Sequence, residues 1–89
     1  MTGSARDRVH DRIRWHCRRG MLELDLVLNA FVERHLDDLD AAELEVFQAV
    51  LAYPDPMLLA VVMGQAEPED ANERGIVARL RAVHATQAA

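Results

Sequence analysis

Leu24, Val27, Leu28, Phe31 and Val32 recur at i, i+3, i+4, i+7 and i+8, which lays an apolar stripe along one side of a helix. That helix should run to about His35, with Glu23 in its first turn and Asp37-Asp38 as the loop beyond it. Val9, Ile13 and Cys17 mark one face of an earlier helix. Ser4 suits its N-cap, Asp7 its positive end, and Arg18 and Arg19 its last turn, with Gly20 providing the positive φ that ends it. Asp40 with Glu43 forms a capping-box pair that opens a third helix, whose apolar stripe is Leu44, Phe47 and Leu51. Tyr53-Pro54 stops it. Asp55 then reads as an N-cap with Pro56 at the first helical position, opening a short apolar helix, Met57 to Met63, that Gly64 closes. Pro68 starts the last helix, where Ile76, Leu80 and Val83 share a face and Gly75 costs about 1 kcal/mol relative to Ala.

No strand-like alternation bounded by turn residues interrupts this pattern, and no internal repeat is present. The expectation is an all-α fold, a compact bundle of about five short helices. It should form a single domain over residues 1–89, with an ordered core at about 5–84 and a short tail at 85–89.

Composition sharpens the picture. Hydrophobic residues make up 51% of the chain but aromatic ones only 4%, so the core must be built from Leu, Val, Ile, Met and Ala, which favours helices. Cys17 is the single cysteine, which excludes an internal disulfide and a structural zinc cluster and suits a reducing compartment. No apolar run approaches the roughly 20 residues that span a bilayer. No apolar stretch follows the Arg-rich start either, so a secretory signal is not expected. A bacterial cytoplasmic protein is the expectation.

Charge is distributed unevenly. Residues 1–19 hold six Arg against two Asp, whereas residues 20–73 hold thirteen acids and only Arg34. A basic face beside an acidic body points to a polarised contact surface.

The run Arg12-Ile13-Arg14-Trp15-His16-Cys17-Arg18-Arg19 could bind a nucleic-acid backbone, and a small nucleic-acid-binding or regulatory module is the alternative function it suggests. A pI of 5.2 argues against that reading and for a solvated helix face with Trp15 half buried. His10, His16 and Cys17 are not spaced to place two metal ligands on one helical face. Nor can a nucleophile–base pair, paired carboxylates or a glycine-rich phosphate loop be assembled, so no enzyme is indicated. What remains is Arg19-Gly20-Met21-Leu22-Glu23. Alone, this R-G-x-x-E pattern is weak, and Arg at a helix end, Gly after it and Glu in the next first turn explain it structurally.

Its surroundings carry more. The stretch Arg14-Trp15-His16-Cys17-Arg18-Arg19-Gly20-Met21-Leu22-Glu23-Leu24-Asp25 resembles the signature of the small FAD assembly factors of succinate dehydrogenase. The resemblance continues through Phe31, the acidic connector, Leu44, Phe47 and the Asp55-Pro56 helix start, and covers roughly residues 6–84. One departure is Val61, where members of that family often carry Trp in the fourth helix. The expectation is that Val61 packs in the core.

The resemblance implies an all-helical protein that binds the flavoprotein subunit of succinate dehydrogenase, and of fumarate reductase as a further candidate. It implies that the chain promotes covalent attachment of FAD to a histidine of that subunit. The chain itself would bind no cofactor stably and would act on the FAD of its partner, without nucleic acid, metal or membrane insertion. The partner-binding residues implied are Arg19, Gly20 and Glu23, extended by Asp25, Trp15 and Arg14. Gly20 would allow close backbone approach, Arg19 would make bidentate contacts with a partner group, and Glu23 would accept from a partner donor. No dinucleotide-binding fingerprint is present.

Overall fold

A computed structural model describes residues 5–88 of the chain. Five α-helices follow one another: α1 Ala5–His16, α2 Leu22–His35, α3 Ala41–Leu51, α4 Asp55–Val62 and α5 Ala71–Ala88. A 3-10 turn, Leu36–Asp38, follows α2 directly. There is no strand among the described residues, and the fold is an all-α bundle. The expected Ser4 cap lies outside the described residues.

The core is the sum of the predicted stripes. Leu24, Val27, Leu28, Phe31 and Val32 of α2 are buried, as are Leu44, Phe47, Val50 and Leu51 of α3. Phe31 and Phe47 meet as a tilted pair with ring centroids 4.9 Å apart. Helix α5 packs against α2, α3 and α4, and buries Ile76, Val77, Leu80 and Val83. Val61 of α4 is fully buried, so the position where the family often places an aromatic is a core position here. By contrast the described residues of α1 bury Ile13 and, just past its end, Cys17 in the hydrophobic core, with Val9 partly buried against it and His10 buried beside Asp37 (Nδ1 to Oδ1, 3.5 Å).

Local chemistry sets most boundaries. The Asp40 carboxylate accepts from the Glu43 amide at 2.8 Å and the Glu43 carboxylate from the Asp40 amide at 3.0 Å, completing the capping box. Helix α4 ends in a Schellman motif: Gln65 N donates to Ala60 O at 2.8 Å and Gly64 N to Val61 O at 3.2 Å, with Gly64 at φ 80°. From α5, Arg81 reaches back to the same turn and donates to the Val61 and Ala66 carbonyls.

Four expectations are corrected. Helix α1 stops at His16, before the two arginines, so Gly20 lies in the α1–α2 connection and is not the cap of α1. Helix α5 begins at Ala71 and not at Pro68; Asp70 accepts from the Glu73 amide at 3.2 Å, which makes it the starting residue. Asp55 lies inside α4, Pro54 is the N-cap, and the Asp55 side chain caps nothing. Trp15, expected half buried, is 70% exposed because it projects from the face of α1 opposite Ile13 and Cys17. Helix α5 runs on to Ala88.

Candidate functional site

The five-residue R-G-x-x-E segment spans the corner between α1 and α2. Four residues beyond α1 are non-helical before Met21, in extended backbone at φ −111°, leads into α2. Within that link Gly20 sits at φ 78°, a left-handed conformation that disfavours any residue with a Cβ. Its open side faces outward, because a Cβ built there would meet nothing within 4 Å.

Asp25, one turn into α2, holds the corner. Its two carboxylate oxygens accept from the Arg19 amide at 2.8 Å and the Gly20 amide at 3.1 Å. Two consecutive backbone donors that no helix satisfies thus converge on one anion. The Arg19 side chain, only 14% exposed, turns into the molecule. Its Nε donates to the His16 carbonyl at 2.7 Å, its Nη1 to Asp55 Oδ1 at 2.9 Å, and its Nη2 to the Leu51 carbonyl. The guanidinium therefore ties the last turn of α1 to the end of α3 and the start of α4. Within this chain the guanidinium donors of Arg19 thus go to three separate acceptors, on His16, Asp55 and Leu51.

Below the corner Cys17 is buried. Burial pushes its thiol from 9.0 up to about 12, against the opposing pull of the Arg19 charge and with a smaller push from Asp25. Such a thiol is not a nucleophile at neutral pH.

The outer side of the corner carries different groups. Gly20 and Glu23 are exposed, and the Glu23 carboxylate has no side-chain partner among the described residues. Leu22 is 75% exposed and Leu26, four residues on, is 52% exposed. Trp15 stands free of the core with the Arg18 guanidinium 5.8 Å from its ring centroid. Arg14, also exposed, pairs with Asp11 on its own helix at 3.6 Å.

Arg19, Gly20 and Asp25 are therefore joined by direct hydrogen bonds, whereas Arg14, Trp15 and Glu23 stand exposed around them. Two features escaped the sequence reading. Asp55 and the Leu51 carbonyl belong to the corner through tertiary contacts that no spacing predicts. Leu22 and Leu26 did leave a signal, since they fall outside the α2 stripe that is buried.

An open groove of about 240 Å³ runs beside the corner, lined by residues such as Leu22, Asp25, Leu26 and Asn29. A groove of about 370 Å³ lies between α3 and α5, lined by residues such as Ala42, Val46 and Ile76, and includes none of the corner residues. Among the described residues no group of three His, Cys, Asp or Glu side chains could hold a metal ion. No described helix is long and apolar enough to cross a membrane.

Comparison with known proteins agrees with the resemblance. The family model described as flavinator of succinate dehydrogenase matches residues 11–84. The FAD assembly factor SdhE of Legionella pneumophila (strain Lens) is 48% identical over 63 residues, covering 71% of this chain and 80% of the relative. That of Coxiella burnetii is 40% identical over 70 residues, covering 79% and 85%. That of Vibrio cholerae is 49% identical over 59 residues, covering 66% and 69%. With the matched region spanning the α1–α2 corner and most of the core, the chain belongs to the family of succinate dehydrogenase flavinators.

Proposed function

We propose that this chain is an assembly factor that docks on the flavoprotein subunit of succinate dehydrogenase and promotes covalent attachment of FAD to it. The observation that carries the reading is the α1–α2 corner. It is locked from within by Asp25, yet presents Gly20 and an unpartnered Glu23 outward. A surface held rigid before contact loses little entropy on binding. Gly20 lets the partner backbone come close, and Glu23 accepts from a partner donor. Trp15, Leu22 and Arg14 extend the patch with apolar area and charge, while Arg19 and Asp25 keep its shape.

On this reading the chain is not a catalyst and holds no cofactor. The flavin provides the electrophile and a histidine of the subunit the nucleophile. Docking of this chain orients the subunit so that the two meet in a reactive geometry. The same surface would serve the flavoprotein subunit of fumarate reductase, and the bacterial cytoplasm is where the two chains would meet.

Co-expression tests this directly. The flavoprotein subunit is produced with and without this chain, denatured, and examined for flavin fluorescence on its own band. Fluorescence that rises with this chain supports the proposal, and equal fluorescence in both samples overturns it.

A further inference from the structure

The geometry points to Asp55 as a positioning residue of the docking corner, acting on the partner-facing surface through Arg19. The inference rests on the function proposed above and assigns a role to a residue outside the R-G-x-x-E motif.

The argument begins with a local rule that fails. Asp before Pro at the start of a helix is well suited to accept from the helix's own free amides. Here Asp55 lies one residue inside α4, and its side chain makes no capping hydrogen bond. Its carboxylate instead meets Arg19 Nη1 at 2.9 Å, across 36 residues of sequence. Departures from local preference of this kind concentrate at sites whose geometry serves something else.

What Asp55 provides is the second of two attachments. The link between α1 and α2 is fixed from the α2 side by Asp25, which takes the backbone amides of Arg19 and Gly20. From the α3–α4 side it is fixed by Asp55 and the Leu51 carbonyl, which take the Arg19 side chain. Gly20 has no packing neighbour on its Cβ side, so nothing there would hold it if one attachment were lost. Asp55 is 37% exposed on its side chain and Arg19 only 14%, so the pair sits at the margin of solvent with the guanidinium inside. An arginine buried to that degree needs its partners, because an unpaired guanidinium would draw towards water and pull residues 17–21 with it. Asp55 thus sets, through Arg19, where Gly20 and Glu23 stand relative to α4.

The test measures affinity for the flavoprotein subunit by titration calorimetry, with far-UV circular dichroism recording the fold of each variant. Asp55→Ala should bind about tenfold more weakly while remaining helical. Asp55→Asn, which keeps an acceptor oxygen at the same place, should recover most of the loss. The double variant Arg19→Ala/Asp55→Ala should bind no more weakly than Arg19→Ala alone, because both act through one contact. Glu45→Gln on the exposed face of α3 should bind as wild type does. Should Asp55→Ala not fold, Asp55→Ser takes its place, a residue that suits a helix start but is too short to reach Arg19. A folded Asp55→Ala that binds within twofold of wild type overturns the inference, as do fully additive losses in the double variant. If wild type itself does not bind the subunit, the functional proposal fails first, and the two failures are told apart by that arm.

Discussion

Two turns of this molecule use a glycine at nearly the same backbone angle, Gly20 at φ 78° and Gly64 at φ 80°, and neither has anything within 4 Å of where a Cβ would lie. They differ in how they are held. The Gly64 turn closes by its own backbone hydrogen bonds, from Gln65 to Ala60 and from Gly64 to Val61, as helix C-termini commonly do. Around Gly20 the amides go to the Asp25 side chain, and the neighbouring arginine runs to three further acceptors on three helices. A turn that only has to reverse the chain can rely on main-chain bonds. A corner whose position relative to the rest of the fold matters recruits side chains from distant segments.

The comparison breaks most readily on bulk. Gly20→Arg and Gly64→Arg should each lose roughly 1 kcal/mol of stability from the positive φ. Only the first should abolish co-purification with the flavoprotein subunit. Equal binding by both variants would make the two turns equivalent.

Next in size is Glu23→Gln. A carboxylate that only favours a helix N-terminus is worth about 0.3–1 kcal/mol, whereas one side of a charge pair buried against a partner costs about 2–5 kcal/mol when removed. The melting temperature should therefore stay nearly constant while covalent flavin on the co-expressed subunit falls sharply. Wild-type flavin incorporation would reduce Glu23 to a helix-end charge.

Val61→Ala, under the Gly64 turn, should lower stability by about 2 kcal/mol through lost transfer energy and the cavity left behind. Urea titration would show this, and the protein that remains folded should still support flavin attachment. A change in attachment beyond the loss of folded protein would mean that the α4 end also serves the partner.

The smallest effect is absent at neutral pH. The Cys17 thiol under the Gly20 corner titrates at about 12 in the fold against 9.0 when free, and Tyr53, bonded to Glu73 and raised from 10.0 to about 12, behaves alike. Stability linked to the protonated thiol is complete below pH about 9. It is lost as pH rises towards 12, because the unfolded chain ionises first. Cys17→Ala should flatten only part of that alkaline decline, Tyr53 accounting for the remainder. An unchanged decline in the variant would remove the thiol from the explanation.

Much of the architecture is legible in the chain because it follows from local rules. The α2 stripe, the Asp40–Glu43 box and the glycine that closes α4 each depend on residues within a turn or two of one another, and each is found as expected. Two of the errors share a cause. Helix α1 ends early and Asp55 gives up its capping role because Arg19 draws the His16 carbonyl and the Asp55 carboxylate to itself. Such long-range pairing has no periodicity to read. The late start of α5 has a different origin: Pro68 was a plausible first residue, but the Asp70 side chain captures the Glu73 amide and starts the helix there. Of the site, the motif and the positive φ of Gly20 were readable. The inward turn of Arg19 was not, because sequence gives an arginine's charge and not its direction.

The light anchoring of α1 has a consequence for motion. Among its described residues this N-terminal segment buries Ile13, Cys17 and a His10 whose Nε2 has no hydrogen-bond partner, with Val9 partly buried beside them. Local opening free energies follow the apolar contact an element would lose, so α1 should detach many times before the α2–α3–α5 core unfolds once. Each such excursion would carry Trp15 and Arg14 away from the surface, while the corner itself stays fixed by the bonds of the Arg19 and Gly20 amides to Asp25.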